Sequence, residues 1–306
     1  MFLKFHRSYI LLEQYFIKKF RLCRYTLLVD GTRNKSNAEN VSVCIRYVKN
    51  GIPCESLLAV PFTPNDYLDA KSMTDLIMDT LEQCGLDPKH MISQCYDGAS
   101  VMRGHKGGVQ ALIQERLAQI IPYVHCFNHR LHLVIIHAIE HVQELSQYFD
   151  QCAMLYEFFR RPKVSCLYEG TTLKRLLPQR WSGHFQTTLA VSDNYQEIVN
   201  VLDDIANNRG MPGDCVAEAI GLSVIVKRPL FRMCLCIVQK ILSLLTPVDK
   251  LLQLRSSDLK QAMLVIDATM SQIAELRSGD AWEKCVKAAS LMLPQEDMEE
   301  TPIKCV

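Results

Sequence analysis

The chain has 306 residues, 48% of them hydrophobic, and a formal net charge of +1. That is ample for a buried core and long enough for one or two domains. The near-neutral balance excludes a global field for nucleic acid, so any basic footprint must be local. Thirteen cysteines stand at irregular spacings with no secretory signal before them, which reads as the reduced thiols of an intracellular chain. No apolar run reaches the roughly 18 residues expected of a membrane span.

Residues 1–25 mix bases (Lys4, Arg7, Lys18, Lys19, Arg21, Arg24) with aromatics. Phe5, Tyr9, Leu12, Phe16 and Phe20 recur at helical spacing, so the stretch is expected to be an amphipathic lead helix docking on the domain. Bases among aromatics also suit nucleic acid, and both readings stand. Thr26 to Asp30 is an apolar run ending in an acid, followed by a loop through Asn37. Val41 to Val48 reads as a strand. Asn50-Gly51 is a hairpin turn signal, and Ser56 to Phe62 reads as the returning strand.

A helix is expected from Asp69 or Ser72 to about Cys84, ended by Gly85. Met91 to Tyr96 is a further strand, closing on Asp97 before a glycine-rich turn. Val109 to Ile120 reads as a helix, Pro122 to His125 as a short strand, and Cys126 to about Phe159 as a helix in one or two pieces. The order β-β-β-α-β-α-β-α suits a ribonuclease H-like mixed sheet, in which the first and fourth strands lie side by side. Asp30 and Asp97 would then be neighbours across the sheet.

The texture changes near residue 160. Residues 161–293 read as mainly helical, with helices at about 183–206, 215–226, 231–245 and 251–276. Leu222 to Val226 is the one stretch there that could be a strand. Residues 294–306 look like a flexible tail.

Two carboxylates about 4 Å apart are costly unless one is protonated or a cation lies between them. Mg²⁺ or Mn²⁺ suits an oxygen-only pair, and two such ions can drive in-line displacement at a phosphate. The competing reading is that both acids shape loops, because Asp before Gly is a common turn pair. His125, Cys126, His129 and His132 have zinc-ligand types, but no second Cys-x-x-Cys pair stands nearby. They equally suit polar groups satisfying a helix start. His137 and His141 read as surface residues. Arg180-Trp181 could stack on a base or anchor a loop on the core. A cysteine-protease reading of Cys126 fails because His125 and His129 are too close in sequence to orient on its thiol.

Four segments carry a resemblance. Leu28-Val29-Asp30-Gly31-Thr32 with the strand at Val41 to Val48, then Cys95 to Met102 with Lys106-Gly107-Gly108-Val109-Gln110, and Tyr123 to Leu133, followed by Arg180-Trp181, resemble hAT-family transposase domains. The closest likeness is to the branch found in zinc finger MYM-type proteins and related domesticated transposases, over roughly residues 26–205. The resemblance implies a ribonuclease H-like core interrupted by a helical insertion, and metal-dependent cleavage and joining of DNA by an Asp-Asp-Glu triad. It makes Asp30 and Asp97 the first two acids and ligands of Mg²⁺ or Mn²⁺. It makes Cys126, His129 and Trp181 supports of the site, and it suggests Arg180, Lys106 and Arg130 for nucleic-acid contact.

The departures matter too. The family's third acid, a Glu in a Ser-Glu-Arg-x-Phe-Ser-like segment, has no counterpart. Glu218, Glu275 and Glu283 lack that flanking pattern. No zinc-finger pair precedes residue 126, so the chain reads as a central piece, truncated at both ends. The expectation is a transposase-derived protein with an incomplete nuclease site, acting in the nucleus on DNA or chromatin proteins and not on membranes. An active metal-dependent nuclease with an unrecognised third acid and a non-functional relic are the alternatives. The oligomeric state stays open because the family's dimerisation region is not visible.

Overall fold

In a computed structural model the described residues are 24–33, 39–61, 69–176, 181–254 and 258–293. The lead helix expected before Arg24, Arg180 and the tail from residue 294 lie outside them. Two compact units divide the described residues. One ends at Leu131 and also takes in Gln253 and Leu254, and the other holds the rest. The division falls at residues 131–132, whereas the texture of the sequence changes near residue 160.

The first unit is built on a five-stranded sheet ordered β3-β2-β1-β4-β5. Its strands are β1 (Tyr25–Arg33), β2 (Glu39–Lys49), β3 (Ile52–Ala59), β4 (Met91–Tyr96) and β5 (Tyr123–His125). β1, β2 and β3 pair antiparallel, while β4 runs parallel to both β1 and β5. This is the mixed α/β sheet that the element order predicts, with the first and fourth strands adjacent. Between β2 and β3, Asn50 and Gly51 take φ of 52° and 76°. Two consecutive positive φ angles make a tight hairpin turn. The returning strand therefore resumes at Ile52, earlier than composition suggests. Pro53 is tolerated there because β3 is an edge strand.

Alternation decides which face is covered. Tyr25, Leu27 and Val29 of β1 and Val41, Val43, Ile45 and Tyr47 of β2 are buried. They join Met73, Ile77, Met78 and Leu81 of helix α1 (Ala70–Gln83) and Val109 and Ile113 of helix α3 (Val109–Leu117) in one core. The Ser72 N–H donates to Asp69 Oδ1 at 2.7 Å, so Asp69 caps α1 as its side chain predicts. Ala118, at φ 48°, ends α3 three residues before the apolar pattern does. The glycine-rich segment also holds a one-turn helix, α2 (Ser100–Arg103), that no periodicity announces.

The residues of alternate parity on β1, β2 and β4 form the other face. Leu28, Cys44 and Cys95 are half-buried there, and Asp30 is exposed. On the core side, Gln94 is fully buried. Its Nε2 donates to the carbonyls of Gln110 and Ile121, both at 3.1 Å, and its Oε1 accepts the Tyr96 hydroxyl at 2.8 Å. A buried polar side chain is tolerable only when its bonds are made, and this one ties β4 to α3 and to the approach of β5.

The second unit is helical. Helices α4 (Phe127–Glu140), whose residues up to Leu131 belong to the first unit, and α5 (Gln143–Phe159) bear out the two-piece reading, and α6 (Pro162–Ser165) is a single turn. Then follow α7 (Trp181–Asp193), α8 (Tyr195–Asn207), α9 (Gly213–Lys227), α10 (Pro229–Gln253), α11 (Leu259–Glu275) and α12 (Gly279–Leu291). The candidate strand at Leu222 to Val226 is part of helix α9. α10 runs through Pro247, past the expected end near residue 245, and Val248 and Leu251 beyond it are buried. By length and composition alone α10 could cross a membrane, but half of its apolar window is buried within the protein. A core helix passes the same test.

Candidate functional site

The sheet brings the predicted acids to one end of the first unit. The β1–β4 ladder ends with Leu28 opposite Cys95. Continued by two residues beyond the last paired position, this register would bring Asp30 and Asp97 to neighbouring positions. The β4–β5 ladder ends with Tyr96 opposite His125, and the Cys126 N–H then donates to the Tyr96 carbonyl at 2.9 Å. One residue further, Cys126 stands beside Asp97. The extended registers thus line up Asp30, Asp97 and Cys126 as a row of positions just past the ends of the two parallel ladders. One expectation needs correcting. Asp30 does not end its strand, because β1 pairs with β2 out to Arg33 opposite Glu39. What ends near Asp30 is the parallel ladder to β4.

Local contacts aim the row. Asp97 Oδ1 accepts the Ala99 N–H at 3.2 Å, and the Tyr123 hydroxyl donates to the Asp97 carbonyl oxygen at 2.9 Å. Gly98 lies against the His125 ring, where an added Cβ would sit 2.5 Å from Cε1 and 2.7 Å from Nε2. Only a residue without a side chain lets the turn after Asp97 close on β5. The His125 and His129 rings stand 5.6 Å apart. Burial lowers the His125 pKa first, and the nearby His129 and Arg130 lower it further, against a smaller upward pull from Asp97.

Cys126 occupies the cap position of α4. Its thiol pKa is pulled down to about 6, chiefly by a hydrogen bond from the Cys95 thiol. Burial opposes this, and the backbone N–H groups of Asn128 and His129 add to it. The Cys95 thiol, as donor, is correspondingly raised. A helix start offers unpaired N–H groups and a positive dipole end, which suit an anionic sulfur. Cys95 has no role in the sequence reading. The available signal was its place two residues before Asp97 on a strand, which puts both on one face.

The remaining predicted residues separate. Lys106 and Arg130 are exposed, as is Arg103, whose charge also reaches His125 and which sequence reasoning did not single out. Trp181 is 3% exposed and packs in the second unit, its ring 6.4 Å from that of Phe185. The Trp181 N–H donates to His132 Nδ1 at 2.8 Å, which gives His132 a structural partner there. That burial matches the anchoring alternative for the tryptophan. His137 and His141 are exposed, as read. Glu218 is paired with Arg161 at 2.7 Å. Among the described residues no group of three or more His, Cys, Asp or Glu side chains is arranged to hold a metal ion.

Residues 12–108 match the protein-family model described as ZMYM1/FAM200, RNase-like domain. The match spans 97 residues of 306 and takes in both Asp30 and Asp97, but stops before Cys126. Together with the mixed sheet, it supports a ribonuclease H-like domain of the domesticated-transposase kind, similar over that stretch to the RNase-like domain of ZMYM1 and FAM200.

Proposed function

We propose that the chain is a transposase-derived protein of hAT ancestry that binds DNA in the nucleus without cutting it. The observation that carries this reading is the charge around the row of Asp30, Asp97 and Cys126. Exposed Arg103 and Lys106 follow Asp97 in the glycine-rich segment, and exposed Arg130 lies one turn into α4. Three exposed cations following the strands of a near-neutral chain are the local basic footprint that phosphate binding requires. Chromatin proteins are the other class of partner, and salt separates the two.

The test is fluorescence anisotropy of a labelled duplex titrated with the full chain at several salt concentrations. Three phosphate contacts predict a log–log salt slope of about −2.7. Arg103→Ala and Arg130→Ala should each flatten it by about 1, and Asp30→Asn should leave affinity intact or raise it. Binding to chromatin proteins but not to DNA, or a slope that neither arginine changes, would overturn the DNA reading.

The row of acids favours a second reading, a residual nuclease. The oxygen donors of Asp30 and Asp97 fit one hard divalent cation, Mg²⁺ or Mn²⁺, which keeps several waters when held by one or two carboxylates. Bound there, such an ion would polarise a phosphate oxygen. The cations of Arg103, Lys106 and Arg130 would position the phosphate, and Asp97, fixed by Ala99 and Tyr123, would stay aimed across the sheet. Mn²⁺-dependent nicking of plasmid DNA that Asp97→Asn abolishes would establish this reading over the first. Nicking that survives Asp97→Asn would refute it.

A further inference from the structure

The face of the sheet opposite the core carries a pattern that neither reading uses. Leu57 of β3 pairs with Cys44 of β2, Cys44 with Leu28 of β1, Leu28 with Cys95 of β4, and Cys95 with Val124 of β5. One unbroken row of apolar side chains thus crosses all five strands, with each free cysteine counting as a small hydrophobe. Its neighbours on the same face are polar: Glu55, Arg46, Thr26 and Ser93 on one side, Ser42 and Asp30 on the other. The row is only partly covered. Leu57 is 53% exposed, Val124 is 37% exposed, and Leu28, Cys44 and Cys95 are half-buried, whereas Leu27, Val43 and Ile45 of the core face are buried. A second sheet packs through a whole apolar face, so a stripe one residue wide does not suit it. An amphipathic helix meets a surface through one narrow stripe, and does. Four strand spacings of about 4.8 Å make the row about 19 Å long.

We propose that residues 5–20 of this chain form the helix that lies along this row. Phe5, Tyr9, Leu12, Phe16 and Phe20 recur at steps of three or four. From Phe5 to Phe20 a helix rises about 22 Å, which matches the row. At about 100° per residue, Lys4, Arg7, Lys18 and Arg21 fall roughly 120–180° away from that apolar side and stay in water. The five steps from Phe20 to Tyr25 provide about 16 Å of extended chain, enough to fold the segment back over the strand it precedes. The family likeness begins at Leu12, and so takes in Leu12, Phe16 and Phe20 together with β1 to β4. Docked in this way, the helix closes the row and lies beside Asp30, two residues beyond Leu28 along β1. This proposal does not depend on DNA binding or on nuclease activity.

Photo-crosslinking in the full chain is the test, with benzoylphenylalanine in place of Phe16. Illumination should link it, within one chain, to peptides carrying Leu28, Cys44 or Cys95. Amide exchange of residues 9–20 should run at least about tenfold slower in the full chain than in a synthetic peptide of residues 1–23. Leu57→Asp with Val124→Asp, at the exposed ends of the row, should return that exchange to the peptide's rate while the Met91–Tyr96 amides stay protected. Links to helices of the second unit, links between two chains, or exchange as fast as the free peptide's would each overturn the proposal. So would slow exchange that the double variant, still folded, leaves unchanged. The crosslink map is made on an unaltered sheet, so it decides between these outcomes even where the double variant unfolds.

Discussion

Gln94→Leu is the sharpest perturbation of the strand that carries Asp97. The side chain is 0% exposed and makes three hydrogen bonds inside the sheet–helix core. Leucine fills nearly the same space but makes none of them. The Gln110 carbonyl keeps a donor, because Gln114 Nε2 also reaches it at 3.1 Å. The Ile121 carbonyl loses its side-chain donor, and the Tyr96 hydroxyl, on a residue 1% exposed, loses its acceptor. At about 1–3 kcal/mol for each of the two orphaned groups, the cost is about 2–6 kcal/mol. Adding Tyr96→Phe removes one orphan and should restore about 1–2 kcal/mol of it. Hydrogen exchange of the Met91–Tyr96 amides, read by mass spectrometry, reports the opening free energy of this strand independently of the helical unit. A loss below about 1 kcal/mol, or a double variant no better protected than the single, would refute the reasoning that this knot fixes β4.

Gly98→Ala should destabilise the first unit by about 1–3 kcal/mol, because its Cβ collides with the His125 ring. Combining it with His125→Ala should recover most of the loss in urea unfolding, and an additive double variant would count against the contact. The pH dependence of Cys126 follows from its lowered pKa of about 6, set first by the Cys95 hydrogen bond. The folded value lies below the ordinary thiol value of about 8.5. The thiolate's contribution to stability is therefore complete above about 8.5 and is lost as pH falls through about 6. The stability advantage of the unaltered chain over Cys126→Ala should grow as pH rises across that window, and iodoacetamide should modify Cys126 with a midpoint near its folded value. A flat difference and a midpoint near 8.5 would contradict the capping geometry.

The sequence showed the sheet well where alternation and turn chemistry agree. Asn50-Gly51, the capping Asp69 and the run from Met91 to Tyr96 each carry a local signal that the fold keeps. Boundaries failed where a partner strand or a packed face decides them. β1 outlasts Asp30 because β2 continues to pair with it, and no residue of β1 announces that. The helix expected to end near residue 245 continues through Pro247, with buried Val248 and Leu251 beyond it. The adjacency of Asp30 and Asp97 followed from element order plus a choice of topology. Cys95 escaped notice because its meaning depends on a residue 31 positions away. Trp181 shows the reverse limit, since an Arg-Trp pair in an irregular stretch says nothing about which way the indole turns.

The overrun of β1 has a mechanical side. Among the described strands, β1 pairs only with β2 from Asp30 to Arg33, because β4 last pairs at Leu28 and β3 last pairs with β2 at Val43. The five-stranded sheet thus narrows to a two-stranded arm, and Asp30 sits at its root. Two-stranded ribbons twist more than sheet interiors do. The gap between the Asp30 and Asp97 carboxylates is accordingly governed by the torsion of a lever and not by a rung of hydrogen bonds. Whatever grips the arm at its far end sets the spacing of the two acids.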